Sequence, residues 1–146
     1  MKVNKYSTVL VRDRAISYKA EIADRPEVIK GVLSKLFHAD RLPTERFWQL
    51  CVNCKMNVIG AFETATGNSI ACVADTASIA RNALLTGAVG VILAHNHPSG
   101  DSKPSVDDIR ITEQTKAALR LFNIDLLDHI IITQHDYYSF KENGLL

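Results

Sequence analysis

Residues 94–108 read Ala94-His95-Asn96-His97-Pro98-Ser99-Gly100-Asp101-Ser102-Lys103-Pro104-Ser105-Val106-Asp107-Asp108, and they join the longest apolar run of the chain, Ala88 to Ala94, to a helix start. That run has the composition of a strand covered on both faces. His95 and His97 stand two residues apart, so on a strand their side chains share a face and both imidazoles reach one ion. Pro98 and Gly100 stop the strand and turn the backbone; Pro104 closes the loop so that a helix opens at Ser105. Asp108 then falls in the first helical turn. Two nitrogen ligands from a strand end and one oxygen ligand from a helix start leave a fourth tetrahedral position for water, the pattern of a catalytic zinc site.

A metal-free account of the same residues exists. Ser105-Val106-Asp107-Asp108 fits a capping box with Asp at the third helical position, which explains the helix by itself. It does not explain the spacing. With five His, nine Ser and ten Asp in 146 positions, His-x-His followed by Ser after eight residues and Asp after eleven is about a one-in-a-thousand coincidence.

Outward from this stretch, the pattern alternates between helical and strand periods. Asp24-Arg25-Pro26-Glu27 offers a cap at Asp24 and an early proline, and the apolar pairs Val28/Ile29, Val32/Leu33 and Leu36/Phe37 predict a helix ending near His38. Phe47, Trp48, Leu50 and Val52, then Val58, Ile59, Ala61 and Phe62 across a polar turn, predict two antiparallel strands. A third is expected at Ser69 to Ala74. Asp75 or Thr76 caps a second helix with Ile79, Ala80, Ala83 and Leu84 on one face, stopped by Gly87. The third helix aligns Ile111, Thr115, Ala118 and Phe122, and strands at Ile124 to Thr133 and Tyr137 to Phe140 close the chain. The fold class is therefore α/β or α+β: a mixed, mostly antiparallel sheet flanked by helices. Residues 1–25 read as an extension with a hairpin or edge strand, from the short runs Thr8 to Val11 and Ala15 to Ala20; residues 26–146 form one domain.

Composition excludes several classes. A chain of 146 residues, 47% hydrophobic, buries about 70% of its unfolded surface and needs no metal or disulfide to hold a core. No apolar run approaches the roughly 20 residues of a membrane span, and no apolar region follows the N-terminus as in a secretory signal, so the expected compartment is the cytoplasm. Seventeen Lys and Arg against sixteen Asp and Glu supply no general attraction to nucleic acid. Cys51, Cys54 and Cys72 are expected to be reduced; Cys51-Val52-Asn53-Cys54, at a hairpin tip and without a second ligand pair, reads as ordinary strand and turn. Asp101 and Asp107 read as solvated turn residues, and Asp128-His129 as structural.

His95-x-His97 with Ser105 and Asp108 resembles the JAMM signature of MPN/JAB-domain metalloproteases. The run His95 to Asp101 with Pro104-Ser105, together with Leu127-Asp128-His129-Ile130-Ile131 and Tyr138-Ser139-Phe140-Lys141-Glu142, is similar to the RadC-like branch over about residues 26 to 146. The resemblance implies a JAB/MPN, cytidine-deaminase-like architecture and a Zn²⁺ held by His95, His97 and Asp108. It also implies a glutamate from an earlier strand as general base. The residues alone leave Glu21, Glu27, Glu45 and Glu63 open. The family's Glu-x-Phe context matches Thr44-Glu45-Arg46-Phe47, which carries the role to Glu45, and Ser105 takes that of hydrogen-bonding the oxyanion. Where RadC-like chains usually carry Pro-Arg-Glu, this one reads Thr76-Ala77-Ser78. Full-length relatives also precede the domain with a helix-hairpin-helix module, for which the first 25 residues leave no room.

The function expected is thus a zinc-dependent hydrolase of peptide or isopeptide amide bonds with a protein or peptide substrate and no membrane partner. The alternative is a metal-binding interaction module of DNA-repair or mobile-element complexes with little catalysis. The letters His95-Asn96-His97 do not make a nuclease, because HNH nucleases spread those residues over a ββα unit.

Overall fold

The computed structural model describes residues 10–13, 23–66 and 75–146. Its elements run α1 (Pro26–Phe37), β1 (Arg46–Val52), β2 (Val58–Thr66), α2 (Thr76–Thr86), β3 (Gly90–Asn96), α3 (Val106–Arg120), β4 (Asp125–Ile132) and β5 (Tyr137–Ser139). The strands form one sheet in the order β2-β1-β3-β4-β5, with β3 and β4 parallel and every other neighbouring pair antiparallel. This is the mixed, mostly antiparallel sheet with flanking helices that the sequence predicts. The single parallel pair follows from α3, because parallel neighbours need a crossover and α3 supplies it.

Helices cover both faces. Val28, Ile29, Val32 and Leu33 of α1 pack on Trp48, Leu50, Ile92, Ala94, Ile130 and Ile132. On the other face Ile79, Ala80 and Ala83 of α2 and Ile111 and Leu119 of α3 meet Phe47, Cys51, Val91 and Leu93. β1 and β3 are buried nearly throughout, as strands between two helical layers must be. A register shift opposite Val91/Ile92 leaves Leu127 as an extra residue in β4. That shift changes the phase of alternation, so Leu126 and His129, three apart, both face α2 and α3.

Local chemistry explains the ends. α1 begins one residue later than expected: Arg25 is the cap and makes no side-chain bond, while Pro26, preset for helical φ, occupies the first turn. Asp75 caps α2 by accepting from the backbone N–H groups of Ala77 and Ser78, and Gly87 ends it at φ 68°. Asn53 Oδ1 ties the β1–β2 turn by accepting from the N–H of Lys55 and Asn57. Two apolar residues expected inward are not. Leu84 is half exposed, and Phe122 lies past the end of α3 at 47% exposure, its inward place taken by Leu119. The strand expected at Ser69 to Ala74, with Cys72, and the N-terminal extension lie outside the described residues, apart from Leu10 to Asp13, which are in no helix or strand. Among the described residues no helix is long and apolar enough to cross a membrane.

Gly90 opens β3 where the sheet is tightest. A Cβ there would stand 2.5 Å from Leu127 Cδ1 and 3.1 Å from Val52 Cγ2. Gly90→Ala is therefore expected to destabilise the fold by about 1–3 kcal/mol through overpacking, read as a lower urea midpoint at unchanged slope.

Candidate metal centre

The end of β3 and the start of α3 meet as the sequence predicts. His95 and Asp108 are buried and His97 is half-buried, and one ligand atom from each lies within 4.8 Å of the others. His95 Nε2 is 3.0 Å from His97 Nε2 and 3.2 Å from Asp108 Oδ1, and His97 Nε2 is 3.6 Å from Asp108 Oδ2. Ligand atoms about 2.0–2.1 Å from a tetrahedral ion stand about 3.3 Å apart. The two separations measured from His95 Nε2, 3.0 and 3.2 Å, lie close to that value, and the donor set of two imidazoles and one carboxylate suits such an ion.

Asp108 is also the acid of a capping box. Its Oδ2 accepts from the backbone N–H of Ser105 (2.7 Å) and from Ser105 Oγ (2.7 Å), while Ser105 Oγ accepts from the N–H of Asp108 (3.1 Å). The helix cap and the ligand set are thus one structure: the bonds that start α3 also aim Oδ1 at His95. Burial alone would raise the Asp108 carboxyl, but the imidazoles of His95 and His97 beside it and the Ser105 hydroxyl favour the ionised form and hold it well below the carboxylate range. Burial lowers His95, whereas the bond to Asp108 raises His97.

Each imidazole is held at its far side. His97 Nδ1 lies 2.7 Å from the Asp101 carbonyl oxygen, so that nitrogen donates to it and Nε2 is the one turned toward the site. Asp101 therefore matters through its backbone, while its exposed carboxylate only accepts from the N–H of Lys103. Asp107 pairs with Arg110 at the surface. His95 Nδ1 meets His129 Nε2 at 2.9 Å, and His129 Nδ1 meets Thr112 Oγ1 at 2.6 Å. Phe47 stacks on His95 and Phe140 on His129, fixing the ring planes and excluding water.

Register distinguishes the glutamates. Phe47 pairs with His95 across β1 and β3, and Glu45, two residues earlier and just before β1, stands near enough to His95 and His97 to act on both. It is half-buried, and its charge favours the protonated form of both histidines. Glu63 pairs in register with Trp48, on the α1 face, and its carboxylate is bound by Arg46. Glu27 accepts from the Tyr137 hydroxyl on α1; Glu21 lies outside the described residues.

Asn96 was not singled out from the sequence. Its side chain points to the opposite face from the two histidines, and there its Oδ1 accepts from the N–H of Arg46 (2.8 Å) while Nδ2 donates to the Thr44 carbonyl (3.1 Å). These are the peptide groups on either side of Glu45, so Asn96 clamps that residue's backbone to the strand carrying the histidines. Thr112 and His129 were also missed as neighbours of the site, since only the fold brings them to His95. Cys51, buried on β1, and Cys54, exposed at the hairpin tip, are both free thiols. Burial pushes the Cys51 thiol up, which suits a packing role.

Asp128 faces away from the site, accepting from Ser139 Oγ (2.6 Å) and from the N–H groups of His129 (2.7 Å) and Lys141 (3.0 Å). Burial raises its carboxyl above the ordinary value despite these bonds. The folded state then holds that proton more tightly than the unfolded, a contribution present below about pH 4 and lost as pH rises through the folded value. Relative to wild type, Asp128→Asn should gain stability as pH rises from about 4 toward 7, as urea titrations at several pH values would show.

A family model described as the RadC-like JAB domain matches residues 22–145. A UPF0758 protein of Flavobacterium johnsoniae is 39% identical over 104 residues, 71% of this chain and 45% of its own length. One from Thermotoga maritima is 40% identical over 97 residues, 66% of this chain and 44% of its own. One from a Janthinobacterium strain is 35% identical over 136 residues, 91% of this chain and 60% of its own. The chain spans about half the length of these curated relatives, whose name states no activity.

Proposed function

The chain belongs to the family of RadC-like JAB domains, and on that premise we propose that it is a zinc-dependent hydrolase of peptide or isopeptide bonds. The observation that carries this reading is the convergence of His95, His97 and Asp108 with the Glu45 carboxylate near both histidines. Zinc bound there would polarise a carbonyl and bring the pKa of water to about 7. Glu45 would take the proton from the attacking water and deliver it to the leaving amine. Its placement owes to the Asn96 clamp, which fixes its backbone against β3. Ser105 Oγ keeps its cap through a lone pair, and rotation about Cβ–Oγ redirects its proton from Asp108 to the oxyanion. A cavity of about 630 Å³ between Ala39 to Pro43 and Ile132 to Asp136 reaches the site only at His97; His95, Asp108, Ser105 and Glu45 do not line it.

The test is turnover of a broad peptide and isopeptide library by zinc-loaded protein. Cleavage lost on chelation and restored by zinc is expected. Stoichiometric zinc with no cleavage of any member would overturn the hydrolase and favour a metal-binding interaction module. A folded wild type that takes up no zinc would overturn both.

A further inference from the structure

From His95 a buried polar chain runs through His129 on β4 to Thr112 on α3, two described residues that the proposed chemistry does not use. Its direction follows from counting protons. Thr112 Oγ1 has one proton and gives it to the Asp108 carbonyl oxygen, one helical turn earlier. Toward His129 Nδ1, 2.6 Å away, that oxygen can then only accept, so His129 carries a proton on Nδ1. His129 is fully buried, and among the described residues its two ring nitrogens meet only Thr112 and His95, with no carboxylate bonded to the ring. A second proton would make an unpaired buried cation, so Nε2 keeps its lone pair. The bond to His95 at 2.9 Å must therefore be donated by His95 Nδ1. With Nδ1 so engaged, Nε2 is the nitrogen of His95 that faces His97 and Asp108, where an ion would take its lone pair.

We propose that Thr112 and His129 are positioning residues that lock His95 in its ligating tautomer before any metal arrives. The inference rests on the metal reading above and adds to it a source of affinity. The chain starts at the backbone carbonyl of Asp108 and ends at the nitrogen facing that residue's own carboxylate. It thereby ties α3, β4 and β3 into one closed loop around the ligand position. An unlocked His95 would place its proton on either nitrogen, and ion binding would have to reverse the wrong form. Partners of this kind, hydrogen-bonded to a ligating histidine, carry about ten- to a hundredfold in metal affinity.

Thr112→Val keeps the shape of the side chain and removes the hydroxyl; Thr112→Ser restores the hydroxyl. Zinc affinity, measured by competition with a chromophoric chelator, is expected to fall about ten- to a hundredfold in Thr112→Val and to recover in Thr112→Ser. Circular dichroism and urea melts would establish that both are folded. Nitrogen-15 NMR of the metal-free wild type adds a readout that needs no variant: His95 should carry its proton on Nδ1. Equal zinc affinity in folded Thr112→Val and wild type, or a proton on His95 Nε2 in the wild type, would overturn the lock while leaving the metal site standing. A folded wild type that takes up no zinc would overturn the lock and the metal reading together.

Discussion

Replacing Glu45 with glutamine is expected to slow hydrolysis of any substrate the wild type cleaves by about a hundred- to ten-thousandfold, the usual share of a general base, with zinc content unchanged. Glutamine keeps the length and hydrogen-bonding shape of the side chain but cannot take up the proton. Glu63 cannot replace it, being on the α1 face and bound by Arg46. The backbone should stay in place, since Asn96 holds the peptide groups of Thr44 and Arg46 and does not touch the carboxylate. The loss should therefore fall on kcat and spare KM. Steady-state kinetics on a library hit would check this, and Glu63→Gln, expected to retain activity, is the control. Equal rates for Glu45→Gln and wild type would remove Glu45 from the mechanism.

The second large effect is expected from Asp108→Ala. Closed zinc sites bind with about 10–16 kcal/mol shared among four ligands, so one ligand carries about 2.5–4 kcal/mol, roughly a hundred- to a thousandfold in affinity. The fold should lose much less. Ser105 Oγ still accepts from the backbone N–H at position 108, while the bonds that Asp108 Oδ2 accepts from the N–H and the hydroxyl of Ser105 disappear, a capping loss of about 1 kcal/mol. Asp108→Asn separates the two contributions, because its amide oxygen can accept from Ser105 while the charge facing His95 and His97 is gone. Chelation of the wild type should likewise abolish activity and leave the far-ultraviolet dichroism intact, as expected for a core that closes without metal.

The metal ligands were legible because all three lie within fourteen consecutive residues, where strand alternation and a helix start fix their mutual directions. The helices and the β1–β2 hairpin were legible for the same reason, through local periods and caps. The glutamate proposed as general base was not. Residue patterns left four glutamates open, and resemblance to a family narrowed them to Glu45; its nearness to the histidines depends on how β1 pairs with β3, which no local pattern contains. His129 was harder still. It reaches the site face only because the extra residue Leu127 shifts the phase of β4, so simple alternation from Leu126 would have pointed it away. The cap of α1 moved from Asp24 to Arg25 because Pro26 fits the first helical turn without a side-chain bond. Phe122 was misread inward because the end of α3, at Arg120, carries no proline or glycine signal.

The parallel pairing of β3 with β4 also bears on how the molecule reaches its native state. Antiparallel neighbours such as β1 and β2 close through a short turn, whereas β3 and β4 meet only after the whole of α3 has been laid across the sheet. Contacts across such long stretches of chain are slow to form. Glu45, His95, Asp108 and His129 come from segments that converge only when both the β1–β3 and the β3–β4 ladders exist. Tight zinc uptake during refolding should therefore lag the appearance of helix signal, making the ion a kinetic reporter of completed topology.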